Sequence, residues 1–267
     1  MKTIILCGGL GSRLSEETHA KPKPMVTVGN HPILWHIMKI YSHYGYNQFV
    51  LPLGYKGETI KEYFLNYFSL SSDCTVDLSS GMVQRTKKDS VDWLVTMIDT
   101  GLNTMTGGRL HRLQSHLQDE ETFMLTYGDG VSNVDINALV KFHQSHGKIA
   151  TVSAVRPTAR FGTMRFDGNQ VKEFVEKAQT GEGWINGGFF VFNRKIFSYL
   201  ANDETVLEGD PLSQLAADGQ LMAYRHEGFW QCMDTIRDRN LLCQLWDGGH
   251  APWKVWNTQI KKEVERV

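Results

Sequence analysis

Thr3-Ile4-Ile5-Leu6-Cys7-Gly8-Gly9-Leu10-Gly11-Ser12-Arg13-Leu14 begins as an unbroken apolar run and ends as a glycine loop. Ile4-Ile5-Leu6 lacks the alternation of a half-solvated strand, which predicts a strand over residues 3–7 buried on both faces of a parallel sheet. The glycines break it. Downstream, Pro32 suits the first turn of a helix, where its missing N–H costs little, and Leu34, Ile37, Met38 and Tyr41 recur at helical spacing until Gly45. A second strand over 48–53 and an amphipathic helix over 58–68 complete a β-α-β-α opening, the start of an α/β sheet.

Residues 69–108 interrupt this pattern: a strand over 91–98 sits among serine-rich and basic stretches that read as exposed loops or an inserted lobe. The alternation resumes with a helix over 110–117, a strand over 123–127, a helix over 136–146 and a strand over 149–155. Asp167-Gly168-Asn169 lies between the short apolar patterns 164–166 and 171–175, which predicts a hairpin. A strand over 189–192, helical patterns over 195–200 and 211–217, a strand over 221–225 and a last helix over 235–246 follow, with no repeat or low-complexity segment.

The 267 residues carry 28 Lys+Arg against 29 Asp+Glu, a net charge of -1. That balance argues against a polybasic protein made for nucleic acid or a membrane surface, while leaving room for a locally basic pocket that takes a phosphorylated small molecule. Cys7, Cys74, Cys232 and Cys243 form no C-x-x-C pair, so they read as reduced thiols of a cytoplasmic protein and not as a zinc site. The apolar run at the N-terminus is too short for a signal-peptide core, and no segment offers the roughly 20 apolar residues that span a bilayer.

Several residues carry two readings at this level. Gly8, Gly9 and Gly11 form a tight turn or turn backbone N–H groups towards a phosphate, with Arg13 as a planar donor beside them. The dinucleotide fingerprint fails, because a G-x-G-x-x-G begun at Gly9 ends on Leu14, and the Walker A ending is missing. Pro22 and Pro24 restrict the backbone around Lys23, which is either a solvated loop residue or an ammonium aimed at phosphate oxygens. Asp129, between Gly128 and Gly130 at the end of an apolar strand, is a turn residue or a ligand of phosphate-bound Mg2+. Asp234 is a helix N-cap, a metal ligand, or both. Glu176, Lys177 and Asn186 are loop residues or sugar-phosphate contacts. Trp35 and Trp246 read as core or interface residues rather than base-stacking groups.

The order of these motifs resembles the sugar-nucleotide pyrophosphorylases: Cys7 to Leu14, Lys21-Pro22-Lys23-Pro24-Met25, Tyr127-Gly128-Asp129-Gly130, Glu176-Lys177, Trp184-Ile185-Asn186-Gly187-Gly188-Phe189 and the segment from Trp230 to Asp234. Ser12 stands where the wider family often has threonine, and Glu16 where it often has proline. The resemblance implies an α/β fold, a Rossmann-like nucleotidyltransferase core with a mixed, mainly parallel sheet and a smaller sugar-binding and C-terminal region. It divides the chain into a catalytic part, 1–240, and a helical extension, 241–267, offered as an oligomer contact. It implies that Leu6, Cys7, Gly8, Gly9, Leu10, Gly11, Ser12, Arg13, Lys23, Thr104, Arg109 and Gly128 hold the nucleotide. Arg13, Lys23, Asp129 and Asp234 would be catalytic, the two aspartates binding Mg2+, and Glu176, Lys177 and Asn186 would bind the sugar phosphate. The implied reaction joins CTP and alpha-D-glucose 1-phosphate into CDP-glucose and pyrophosphate, in a cytoplasmic homo-oligomer with the hexamer among the expected assemblies. A thymidylyl- or uridylyltransferase acting on the same sugar phosphate, and a non-catalytic nucleotide-binding regulator, stand as alternatives.

Overall fold

The N-terminal apolar run forms strand β1 (Thr3–Leu6), all four residues buried, in a computed structural model that describes residues 1–86, 91–157, 163–167, 170–175 and 183–257. With β2 (Gln48–Leu53), β3 (Leu94–Asp99), β4 (Thr122–Tyr127), β5 (Ala150–Val155), β6 (Ile185–Asn193) and β7 (Leu221–His226) it builds one sheet in the order β7-β5-β6-β4-β1-β2-β3. The register places Thr3 beside Phe49 on one side and Met124 on the other. Every neighbouring pair is parallel except those made by β6, which runs antiparallel to both β4 and β5. The sheet is mixed and largely parallel, as the resemblance implies.

Successive residues of a strand point to opposite faces, so the run Ile4-Ile5-Leu6 needs apolar cover on both. Helix α1 (Ser15–Thr18) closes the loop after β1, and α2 (Ile33–His43) lays Leu34, Ile37 and Tyr41 against Ile5, Leu51 and Met124. On the opposite face, Ile4, Val50 and Leu125 meet Leu110, Leu113 and Leu215. The expected helix over 58–68 is two helices, α3 (Gly57–Leu65) and α4 (Tyr67–Ser71), parted at Asn66, whose side-chain amide donates to the Glu62 carbonyl at 2.9 Å. That local bond competes with continuing the helix. The interruption in the pattern after it is an exposed antiparallel ribbon, Asp73–Asp77 with Met82–Thr86.

Helix α5 (Thr106–Arg112) starts earlier than apolar spacing predicts, because Gly107 and Gly108 are helical. A Cβ on Gly108 would lie 2.3 Å from the Asp203 carbonyl oxygen, so these glycines serve a close backbone approach and not a loop. Helix α6 (Ile136–His146), with the Asp135 side chain as its N-cap, and α7 (Asp210–Ala217) follow the expected pattern. The hairpin Thr163–Asp167 with Gln170–Val175 forms as its turn residues indicate. The boundary after residue 240 falls inside helix α8 (Ile236–Asp247), and Leu242 and Trp253 are buried in the same cluster as Ile5. No helix among the described residues is long and apolar enough to cross a membrane.

Candidate active site

The carboxyl ends of β1 and β4 and the loop after β3 border a cleft of about 780 Å³. An open parallel sheet leaves its ligand crevice at these strand ends. Because β6 runs antiparallel, its amino end, carrying Asn186, reaches the same edge.

After Leu6, Cys7 makes one more parallel bridge, to Leu53, and the chain then leaves the sheet. Gly11 has φ 66, where a side chain would be strained, and its Cβ would lie 2.7 Å from Thr18 Cγ2. Gly9 meets nothing within 4 Å in that direction. Leu10 is exposed, and Ser12 opens a short 3-10 turn that carries Arg13. Gly8 is crowded instead, since its Cβ would lie 2.1 Å from Arg109 Cζ. The Arg109 guanidinium is buried and donates to the carbonyls of Gly8 (2.9 Å), Leu53 (3.0 Å) and Gly101 (2.8 Å) and to Thr100 Oγ1 (2.8 Å). Burial lowers its pKa. Arg109 thus ties the glycine loop to the ends of β2 and β3, while Thr104, also buried, lines the cleft beside it.

A two-stranded ribbon, Gly130–Ser132 with Trp230–Cys232, brings the late segment onto the end of β4. Met233 N–H donates to the Asp129 carbonyl at 2.8 Å, which sets Asp234 beside Asp129. Gly128 permits this crowding: its Cβ would lie 2.7 Å from the Leu6 oxygen and 2.8 Å from Pro24 Cγ. Lys23 Nζ stands 2.6 Å from Asp129 Oδ2 and 2.6 Å from Asp234 Oδ1, and Arg13 Nη1 stands 2.6 Å from Asp234 Oδ2. Burial alone would depress the Lys23 ammonium, but the two aspartates outweigh it and its pKa is raised. Asp234 is not the cap of α8. Thr235 is, in a capping box with Asp238, which leaves the Asp234 carboxylate turned to the two cations.

Two carboxylates that already share one cation form an all-oxygen donor pair, which suits Mg2+ completed by substrate phosphates. Among the described residues no group of three or more His, Cys, Asp or Glu comes together for a metal; Asp129 and Asp234 are a pair of carboxylates bridged by Lys23. Burial, then Asp234 and Asp129, pushes the Cys232 thiol up to about 12, and burial raises Cys7 as well, which disfavours the thiolate in both.

Asn186 Nδ2 donates to the Tyr127 hydroxyl at 3.1 Å, and Asn186 Oδ1 accepts from Gly188 N–H at 2.8 Å. The Tyr127 hydroxyl donates to Glu208, which also accepts from Thr106 Oγ1 at 2.6 Å. Burial and then the Glu208 charge raise the Tyr127 pKa. The sequence assigns no role to Tyr127 or Glu208. Tyr127 had a signal, its place beside Gly128-Asp129; Glu208 sits in an ordinary-looking loop before α7 and had none. Glu176 and Lys177 lie outside the described residues. Trp35 and Trp246 are parts of an aromatic cluster, Trp35 stacking on His31 at 3.9 Å, and do not line the cleft.

An α/β sheet with a glycine loop and an Arg-Lys-Asp-Asp cluster at its strand ends has the means to bind and transfer a nucleotidyl group. The chain matches the nucleotidyl transferase family over residues 2–236 and belongs to it. It is 51% identical over 256 residues to the glucose-1-phosphate cytidylyltransferase of Salmonella typhi, spanning 96% of this chain and 100% of that protein. It is 46% identical over 257 residues to the probable glucose-1-phosphate cytidylyltransferase of Bacillus subtilis (strain 168), again spanning 96% and 100%. Among solved structures, HddC of Yersinia pseudotuberculosis superposes with a TM-score of 0.68 at 23% identity, over 92% of this chain and 99% of that one, which speaks for the fold alone.

Proposed function

We propose that the chain transfers CMP from CTP to alpha-D-glucose 1-phosphate, giving CDP-glucose and pyrophosphate, with Mg2+ as its metal. The observation that carries this reading is the convergence of Arg13, Lys23, Asp129 and Asp234 beside the glycine loop, in a chain 51% identical along its length to a cytidylyltransferase.

The sugar phosphate is anionic at neutral pH, so its oxygen attacks the alpha-phosphorus of CTP without a protein base. The new bond is oxygen to alpha-phosphorus; the bond to the bridging oxygen breaks, and its electron pair leaves with pyrophosphate. The protein's task is to bring two anions together and offset charge on the transferring group. Lys23 and Arg13 supply cationic donors, and the glycine loop, held in shape by Arg109, gives the phosphates close access to backbone. Thr104 and Gly128 complete the nucleotide's surroundings, and Asn186, with Glu176 and Lys177, orients the sugar phosphate. Asp129 and Asp234 hold the Mg2+, which when bound offsets phosphate charge.

A panel of CTP, UTP and dTTP with glucose 1-phosphate, followed by pyrophosphate release and nucleotide-sugar formation, tests this. CTP should dominate and yield CDP-glucose. Dominant turnover of UTP or dTTP overturns the cytidylyl assignment, and binding without product overturns the enzymatic one. The reading extends to a cytoplasmic homo-oligomer, supported by four unpaired cysteines and by exposed Leu65, Leu70, Leu78 and Met82 on and near the ribbon. Sedimentation over a concentration series checks it; a persistent monomer would overturn the assembly.

A further inference from the structure

We propose that Lys23 is an internal cation that keeps the divalent-metal position filled until a nucleoside triphosphate draws its ammonium away, so that metal and nucleotide enter together. The inference rests on the nucleotidyl-transfer reading of the cleft and concerns how its metal site is made.

Lys23 Nζ lies 2.6 Å from an oxygen of each aspartate, and the second oxygen of Asp234 accepts from Arg13 Nη1 at 2.6 Å. Both Asp234 oxygens are therefore engaged by cations. A divalent ion bonded to the oxygens that Lys23 bridges sits at about 2.1 Å from each, inside the space the ammonium fills. The two cannot share it. The local charges also sum to zero, two carboxylates against one ammonium and one guanidinium, so a bare divalent ion meets no net negative charge.

Lys23 does not vacate this place by itself. Its side chain is 12% exposed, and the turn that carries it is held by Met25 N–H to the Pro22 carbonyl (2.8 Å) and Val26 N–H to the Lys23 carbonyl (3.0 Å). Withdrawing the ammonium alone would leave two half-buried carboxylates facing each other. A triphosphate changes the balance at every point: its oxygens offer Lys23 and Arg13 new partners, the aspartate oxygens come free, and the phosphates add ligands of their own. Arg13, exposed at the cleft mouth, is placed to move first.

The test uses the full chain without nucleotide and Mn2+ as the probe, followed by the paramagnetic resonance signal of free Mn2+. Lys23→Met should bind Mn2+ at least tenfold more tightly than the wild-type chain, and adding Asp129→Asn to that variant should abolish the gain. CTP without sugar phosphate should lower the free Mn2+ signal further in the presence of the wild-type chain than CTP lowers it alone. Lys23→Gln, run in parallel with circular dichroism to establish folding, should behave as Lys23→Met does, and Mn2+ should raise the melting midpoint of either variant more than that of the wild-type chain. Equal Mn2+ affinity with and without the lysine, or a gain that survives Asp129→Asn, overturns the proposal. The nucleotide-free titration does not depend on which base the enzyme uses, so this inference and the cytidylyl assignment fail separately.

Discussion

Gly8 and Arg109 occupy the same few ångströms of space, and neither position tolerates much change. Gly8→Ala would drive a methyl group to 2.1 Å from a guanidinium pinned by its hydrogen bonds to Leu53, Thr100, Gly101 and Gly8 itself. Overpacking of this kind costs about 1–3 kcal/mol, and the loop is the part that must give. Both a lowered melting midpoint and a raised KM for the nucleotide are expected, read by calorimetry and steady-state kinetics. At the proposed metal position, Asp129→Asn and Asp234→Asn should each lower Mg2+-dependent kcat by about 100-fold or more while the far-ultraviolet dichroism stays unchanged, since removing one stabilising group from a charged transition state has costs of that order. Undiminished turnover in either variant would remove that aspartate from the site. Arg13, Lys23, Asp129 and Asp234 were legible as chemistry-bearing residues because strand ends, glycines and prolines flank them. Glu208 was not, since nothing about a single glutamate in a loop marks the tyrosine it will meet.

At the scale of elements, α8 links stability to the site. Its N-cap Thr235 accepts from Asp238 N–H at 3.2 Å, and the Asp238 carboxylate accepts from Thr235 N–H at 2.9 Å. Thr235→Ala should cost about 1 kcal/mol of stability. It should also lower kcat, because Asp234 precedes the cap and its own N–H donates to Asp238 at 3.2 Å. A melting curve and a kcat measurement on one preparation separate this from simple unfolding: a stability loss with unchanged kcat would show that the cap does not set the Asp234 carboxylate. Periodicity located most elements, including α6 and β2, whose bounds match the expected ones. It misplaced the start of α5, because glycine's low helix propensity argues against Gly107 and Gly108 and only the opposing backbone of Asp203 explains them.

Across the whole molecule, the C-terminal segment is docked through a histidine. His36 is fully buried; its Nε2–H donates to the Val28 carbonyl at 2.9 Å and its Nδ1 accepts from Trp253 Nε1–H at 3.3 Å. Burial, with His31 and Lys254 nearby, lowers its pKa from 6.5 to about 4. The folded protein therefore holds His36 neutral while the unfolded chain takes up a proton near 6.5. Its contribution is fully present above that pH and is lost as pH falls towards about 4, on the order of 3 kcal/mol in total. His143, lowered to about 4 chiefly by burial, acts in the same direction. The melting midpoint of the wild-type chain should fall through this window with a change in tryptophan fluorescence, and His36→Gln should show a shallower pH dependence. An equally steep curve in that variant would place the acid sensitivity elsewhere.

By itself the sequence determined the class of fold and the kind of chemistry. Ile4-Ile5-Leu6 demanded cover on two faces, alternating strand and helix periods supplied it, and glycines after a buried strand announced a loop. Those are local properties, read within a few residues of each other. Tertiary structure alone decided that Asp129 and Asp234 share one cation, that β6 runs backwards and so delivers Asn186 to the same edge, and that Arg109 ties the Gly8 carbonyl to Leu53, Thr100 and Gly101. These depend on the ribbon of Gly130–Ser132 with Trp230–Cys232 and on sheet order. Such pairings join residues far apart in the chain, and hydrophobic periodicity carries no information about which distant strand will lie beside which.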